Sequence, residues 1–168
     1  GAQHVIDAPH VPETGYDEIL QAVNHTAGGV VPAVQSFLAG SPRGPFFLDV
    51  GFTQTHRTFG PPSLDEDPRY CRPPGHLPDT PRTRRDFASF QAAARVLDRA
   101  MGAVLDALEA NRLDDSTLVI CTTDHGIAFP DMKCNLTDHG TGVLLILRGP
   151  GGFAGAAATA VLRAAARP

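Results

Sequence analysis

Four residues stand where their side chains could do chemistry together: His56, Asp124, His125 and Lys133. Asp124 and His125 come directly after the run Thr117-Leu118-Val119-Ile120-Cys121-Thr122, with Thr123 between and Gly126 following. That run is mostly β-branched or apolar and predicts a buried strand. In open parallel sheets, ligands bind beyond the carboxyl ends of strands, so a carboxylate and an imidazole arriving there are well placed for chemistry. An adjacent Asp and His in a loop can turn toward one point and hold a divalent cation. The same triplet also ends strands for backbone reasons alone, and the residues by themselves leave a metal pair and a plain turn equally open.

His56 follows a second strand candidate, Phe46-Phe47-Leu48-Asp49-Val50-Gly51-Phe52, just as Asp124 follows the first. If both strands are parallel, one end of one sheet receives both groups. Lys133 sits in the loop Phe129-Pro130-Asp131-Met132-Lys133-Cys134-Asn135, near enough in sequence to fold back over that end. A metal, an imidazole and an ammonium make a site for a tetrahedral oxyanion. The two cations neutralise its oxygens while the imidazole gives a proton to the leaving group. Taken singly, His56 and Lys133 belong to types that are more often structural than functional.

The elements that must position these groups read as an α/β layer structure. Residues 1–15 show no period and form an irregular opening segment. Helical character from Tyr16 to Leu38 is interrupted at Gly28-Gly29 and Pro32, which predicts a short helix, a break, and a second helix over Pro32–Ala39. Asp49, a carboxylate inside an apolar run, predicts a sheet edge or a hydrogen bond. Residues 53–82 are rich in proline and polar groups, and so long an excursion predicts a covering or functional loop. Thr80 before Pro81, or Thr83 with Asp86, then caps the clearest amphipathic helix. Phe87, Phe90, Ala94, Leu97, Met101, Leu105 and Leu108 recur along it at steps of three and four, and this stripe is a core face. A last strand, Val143–Leu147, precedes Arg148-Gly149-Pro150.

Composition bounds the partners. A length of 168 residues suits one domain with one core, and a net charge of −4 argues against a nucleic-acid surface built on bulk charge. Arg82, Arg84 and Arg85 form the one basic cluster and read as a solvated helix face. No apolar stretch is long enough to span a membrane. The three cysteines, Cys71, Cys121 and Cys134, fit neither a zinc spacing nor a disulfide framework, and Cys121 reads as a small buried apolar residue. Asn24-His25-Thr26 and Asn135-Leu136-Thr137 match the glycosylation triplet but lack any secretory context.

The segments PFFLDVGFTQTHRTFGPP, LPDTPRTRRDFASFQAAARVLDRAMGAVLDALEANRLDDSTLVICTTDHG and FPDMKCNLTDHGTGVLLILRGPGGF, in that order, resemble the C-terminal part of the sulfatase catalytic domain. That domain belongs to the alkaline-phosphatase-like superfamily, and the resemblance is strongest to bacterial sulfatases similar to heparan N-sulfatase. It covers about residues 42–153. It implies a partial alkaline-phosphatase-like α/β fold, a mostly parallel sheet flanked by helices, with the N-terminal portion of the domain missing. Residues 1–153 would be that partial domain and 154–168 an alanine-rich tail. Position by position, the resemblance makes Asp124 and His125 the second pair of metal ligands. It makes His56 and Lys133 the residues that contact the sulfate, His56 also meeting the leaving-group oxygen. The family usually binds Ca2+, which suits oxygen-rich sites; a histidine ligand admits another, softer divalent cation.

The departures matter as much. The family's nucleophile is a formylglycine made from the cysteine of a Cys-x-Pro-Ser-Arg motif near the start of the protein. Cys71-Arg72-Pro73-Pro74-Gly75 lacks its serine and arginine and follows His56 instead of preceding it, so Cys71 is rejected. An upstream pair of metal-binding aspartates is also absent from these residues. The sequence therefore predicts a fragment of a metal-dependent sulfatase acting on sulfate esters or sulfamates, a sulfated small molecule or glycan being the ligand. Its missing partner would be the N-terminal part of the same domain, and the chain alone is expected to be inactive. Two other readings remain: a phosphodiesterase or phosphonate hydrolase of the same superfamily, and a non-catalytic truncated fragment. Neither nucleic acid nor membrane is expected as a partner, and periplasmic, secreted and cytoplasmic locations all stay open. A sheet lacking strands would expose edges and an apolar face, giving marginal stability.

Overall fold

A computed structural model describes residues 13–42 and 44–150. The expected tail at 154–168 and most of the opening segment lie outside the described residues. The elements are α1 (Ala27–Ala39), α2 (Pro81–Ala110), a 3-10 turn at Asp114–Ser116, β1 (Val119–Thr122), α3 (Asp138–Thr141) and β2 (Leu145–Arg148). The described residues up to Pro73, with Asp79–Asn111, form one compact unit; Pro74–Pro78, with the described residues from Arg112 onward, form a second.

In the first unit α1 packs on α2. The sequence reading placed a break at Gly28-Gly29, yet one helix runs through both glycines and Pro32. The energetics explain this. Val30, Val34 and Leu38, four residues apart, are buried at 8%, 3% and 1% exposure. Burial of each contributes about 1.5–3 kcal/mol, against about 1 kcal/mol per interior glycine and about 3 for proline. Gly28 and Gly29 also lie in the first turn, where backbone N–H groups have no intrahelical partner to lose.

The long helix α2 follows expectation at its start. Pro81 occupies the first turn, and the Thr80 side chain accepts from the Thr83 N–H at 3.1 Å. Ala88, Ala100, Ala107 and Leu108 are its buried apolar positions, whereas Phe87, Phe90, Leu97 and Leu105 are half-buried. The proline-rich excursion is fastened to this helix by charge. The Arg57 guanidinium donates to both Asp86 carboxylate oxygens at 3.0 and 2.5 Å. Arg95 on α2 donates to the buried Glu66 at 2.6 Å, and Ser63 bonds the other Glu66 oxygen. Arg84 pairs with Asp79 and also donates to the Arg69 carbonyl at 2.8 Å, so the cluster at 82–85 is only partly a solvated face.

Phe46–Phe52 is not a strand. It has no ladder partner among the described residues, and an apolar run without one is no β-structure. Phe47 is 80% exposed, stacked on Tyr16, whose hydroxyl donates to Asp49 at 2.9 Å. The hydrogen bond expected of Asp49 is thus made, without a sheet. Thr53 fixes the end of the run, its N–H and hydroxyl both donating to the His25 carbonyl.

In the second unit β1 and β2 pair antiparallel, Val119 opposite Arg148 and Thr122 opposite Leu145. The expected parallel arrangement is not found here. A parallel return needs a crossover of a dozen or more residues, usually a helix. The link from β1 to β2 instead contains tight turns and the four-residue α3. Val143 and Leu144 fall outside β2. Thr122 donates its hydroxyl to the Leu144 carbonyl at 2.8 Å, and Thr123 accepts from the Leu144 N–H at 3.2 Å, so side chains replace the ladder there. The strands are not buried: Ile120, Ile146 and Leu147 are all exposed, and Cys121 is half-buried.

Candidate functional site

The second unit carries three of the four candidate residues: Asp124, His125 and Lys133. His56 belongs to the first unit. Its exposed ring donates from Nδ1 to the Arg57 carbonyl, and its backbone N–H bonds the Thr53 carbonyl at 2.6 Å.

Asp124 and His125 lie just past the end of β1, as the strand reading required. The Asp124 side chain is 83% exposed, with its Oδ2 3.4 Å from His125 Nε2. His125 Nδ1 lies 2.7 Å from the Gly126 carbonyl. A carbonyl only accepts, so Nδ1 carries the proton and donates; in the neutral ring, the Nε2 lone pair then faces a carboxylate oxygen. A proton or a cation between the two relieves that opposition. Neighbouring ligands at about 2.1 Å from one ion lie roughly 3.0–3.4 Å apart, so the pair fits two adjacent positions of a divalent site. Among the described residues no group of three or more His, Cys, Asp or Glu side chains could hold a metal. Ca2+ takes about 6–8 oxygen ligands, more than this pair offers.

What holds the pair is a clasp of glycines. The Gly126 N–H donates to the Gly140 carbonyl at 2.8 Å. A Cβ on Gly126 would lie 1.8 Å from the His139 carbonyl oxygen, and one on Gly140 would lie 2.0 Å from that of Asn135. Only glycine allows backbones this close. Asp124-His125-Gly126 is thus fastened to a second copy of the same triplet, Asp138-His139-Gly140. The repeated triplet was the signal that could have revealed Gly140, and the sequence reading did not use it.

Lys133 is held in the same loop, its N–H bonded to the Ile127 carbonyl at 3.2 Å and its carbonyl accepting from Asn135 Nδ2 at 3.1 Å. Phe129 and Met132, nearly fully buried, anchor the loop on either side of Pro130 and Asp131. Cys71 is buried, and that burial, with the nearby Glu66 and Asp67 charges, pushes its thiol above the ordinary range. A thiol pushed up in this way is held back from the thiolate form.

A family model described as Sulfatase matches residues 4–165. The chain belongs to the sulfatase family. With that membership comes the alkaline-phosphatase-like α/β fold, of which the two strands and three helices are a part. The sulfatase chain is 31% identical over 141 residues to the human N-sulphoglucosamine sulphohydrolase, a match covering 70% of this chain and 28% of that protein. It is 32% identical over 90 residues to an ulvan-active sulfatase of Formosa agariphila, covering 54% of this chain and 15% of the relative. The chain therefore spans under a third of the length of these curated relatives.

Proposed function

We propose that this chain supplies one part of the active site of a metal-dependent sulfatase that hydrolyses sulfate esters or sulfamates. The observation that carries the reading is the pair of exposed Asp124 and half-buried His125, held past the end of β1 by the Gly126–Gly140 clasp in a sulfatase-family chain. Asp124 Oδ2 and His125 Nε2 are two ligands of a divalent cation, Ca2+ or a softer ion, whose charge offsets that of sulfate oxygens. The remaining ligands and the formylglycine nucleophile belong to another part of the domain. Lys133 places an ammonium against the sulfate, and His56 gives a proton to the departing alcohol or amine. The substrate is a sulfated small molecule or glycan. The identity of 31% with a sulphohydrolase of N-sulphoglucosamine supports a sulfamate or amino-sugar ligand over a phosphate diester.

The test uses the whole reading frame that contains this chain, with an aryl sulfate, N-sulphated glucosamine and a matched phosphate diester as substrates. Sulfate or sulfamate turnover is expected, falling by about a hundredfold or more in Asp124→Asn and in Lys133→Ala, the scale of losing one transition-state contact. Turnover of the phosphate diester alone would move the assignment to a phosphodiesterase. No turnover of any substrate would make the retained residues those of a non-catalytic fragment.

A further inference from the structure

Outside the candidate site, the second unit brings two histidines together from distant parts of the chain. The rings of His76 and His139 stack with centroids 4.5 Å apart and planes 19° from parallel. Both residues are exposed. Among the described residues neither ring has a hydrogen-bond or ion-pair partner. The backbone on each side is fixed. Leu77 is buried, and its N–H bonds the Pro74 carbonyl at 2.9 Å, which sets the position of His76. His139 lies in α3, whose cap Thr137 accepts from the Gly140 N–H at 3.1 Å, and its own carbonyl lies against Gly126.

We propose that His76 and His139 form a transition-metal site for a borderline divalent ion such as Zn2+, Ni2+ or Cu2+, separate from the Asp124–His125 pair. Imidazole nitrogen is the preferred donor for these ions, which bind it at about 2.0–2.1 Å. Rings already face to face on anchored backbones need only side-chain rotation to converge on one ion. Little ordering entropy is then lost on binding. Two protein ligands leave the other positions to water, so the ion exchanges and is not structural. Ca2+ is excluded as occupant, because the pair offers it no oxygen. A bound ion would tie the Pro74–Pro78 segment to α3, beside the glycine clasp that holds Asp124 and His125.

The experiment titrates the full chain with Ni2+ and Zn2+ by calorimetry, alongside His76→Asn, His139→Asn and His125→Asn. In His125→Asn, which removes a ligand of the other pair, one ion per chain is expected, unaffected by excess Ca2+. Affinity should fall by more than about tenfold in each of the first two variants, at least the loss that removing an outer-shell partner of a ligand brings. Should either variant lose its circular dichroism, Cu2+ broadening of histidine ring resonances in the unsubstituted chain decides: selective broadening of His76 and His139 supports the site. Unchanged affinity in His76→Asn or His139→Asn, no ion bound by His125→Asn, or broadening that spares His76 or His139 would overturn it. The result is independent of sulfatase turnover.

Discussion

Gly126→Ala tests how the loop carrying Asp124 and His125 is held. The added Cβ would meet the His139 carbonyl oxygen at 1.8 Å and its carbon at 2.8 Å. Ordinary contact lies near about 3.5 Å, so the backbones must part by more than 1 Å at a place where neither neighbour is a flexible side chain. The Gly126 N–H to Gly140 carbonyl bond, 2.8 Å long, then leaves hydrogen-bonding range. Overpacking costs about 1–3 kcal/mol and a lost hydrogen bond about 1 more, so Gly126→Ala should destabilise the second unit by about 2–4 kcal/mol. Gly102→Ala is the matched control: it is helical, with nothing within 4 Å of a Cβ. It should stabilise by about 0.5–1 kcal/mol. Amide exchange by mass spectrometry over residues 119–148 reads the local change, and urea denaturation followed by circular dichroism reads the global one. Exchange there should speed by roughly thirty- to a thousandfold in Gly126→Ala. An exchange rate within about threefold of the unsubstituted chain would refute the clasp.

Two further outcomes follow from the first unit. Leu38, 1% exposed, is the largest fully buried side chain among the described residues, and Leu38→Ala should cost about 2–5 kcal/mol, read as a lower urea midpoint at unchanged slope. Glu66 is held below the ordinary carboxylate range by its Ser63 hydrogen bond and then by Arg95. A depressed folded value means the stabilisation is complete above the unfolded value of about 4.3 and fades as pH falls through the folded one. Thermal melts should therefore drop on acidification below about pH 4.3, and Glu66→Gln should flatten that fall; an equally steep fall in the variant would count against the pairing.

The parts of the fold legible in the sequence are those written locally. The Thr80–Pro81 start of α2 depends on neighbours in sequence, and it appears as read. So does a strand ending just before Asp124 and His125. What was not legible depends on distant partners. Phe46–Phe52 has a strand's composition, but composition does not supply a ladder. The glycines of α1 look like a break until the burial of Val30, Val34 and Leu38 is counted against them. The antiparallel return of β2 is set by a link too short in regular structure for a crossover, and hydroxyls of Thr122 and Thr123 shift its start. At the site, the carboxylate and imidazole were visible as neighbours. Gly140 and the His76–His139 stack were not, because each needs a contact between residues far apart in the chain.

The division into two units has a consequence for how the protein is made. Every described residue of the first unit precedes Arg112. A ribosome delivers about 5–20 residues per second, so α1 and α2 can close on each other seconds before β2 emerges. The β-ribbon follows α2, with Ile120, Ile146 and Leu147 open to solvent on its faces. Its Pro74–Pro78 contribution has by then been waiting since before α2 was complete. Within these residues the partners of the α1–α2 pair are both made before either strand of the ribbon. Slow translation between Thr122 and Leu145 would lengthen the interval in which Ile120 waits, without its partner strand, to meet other chains.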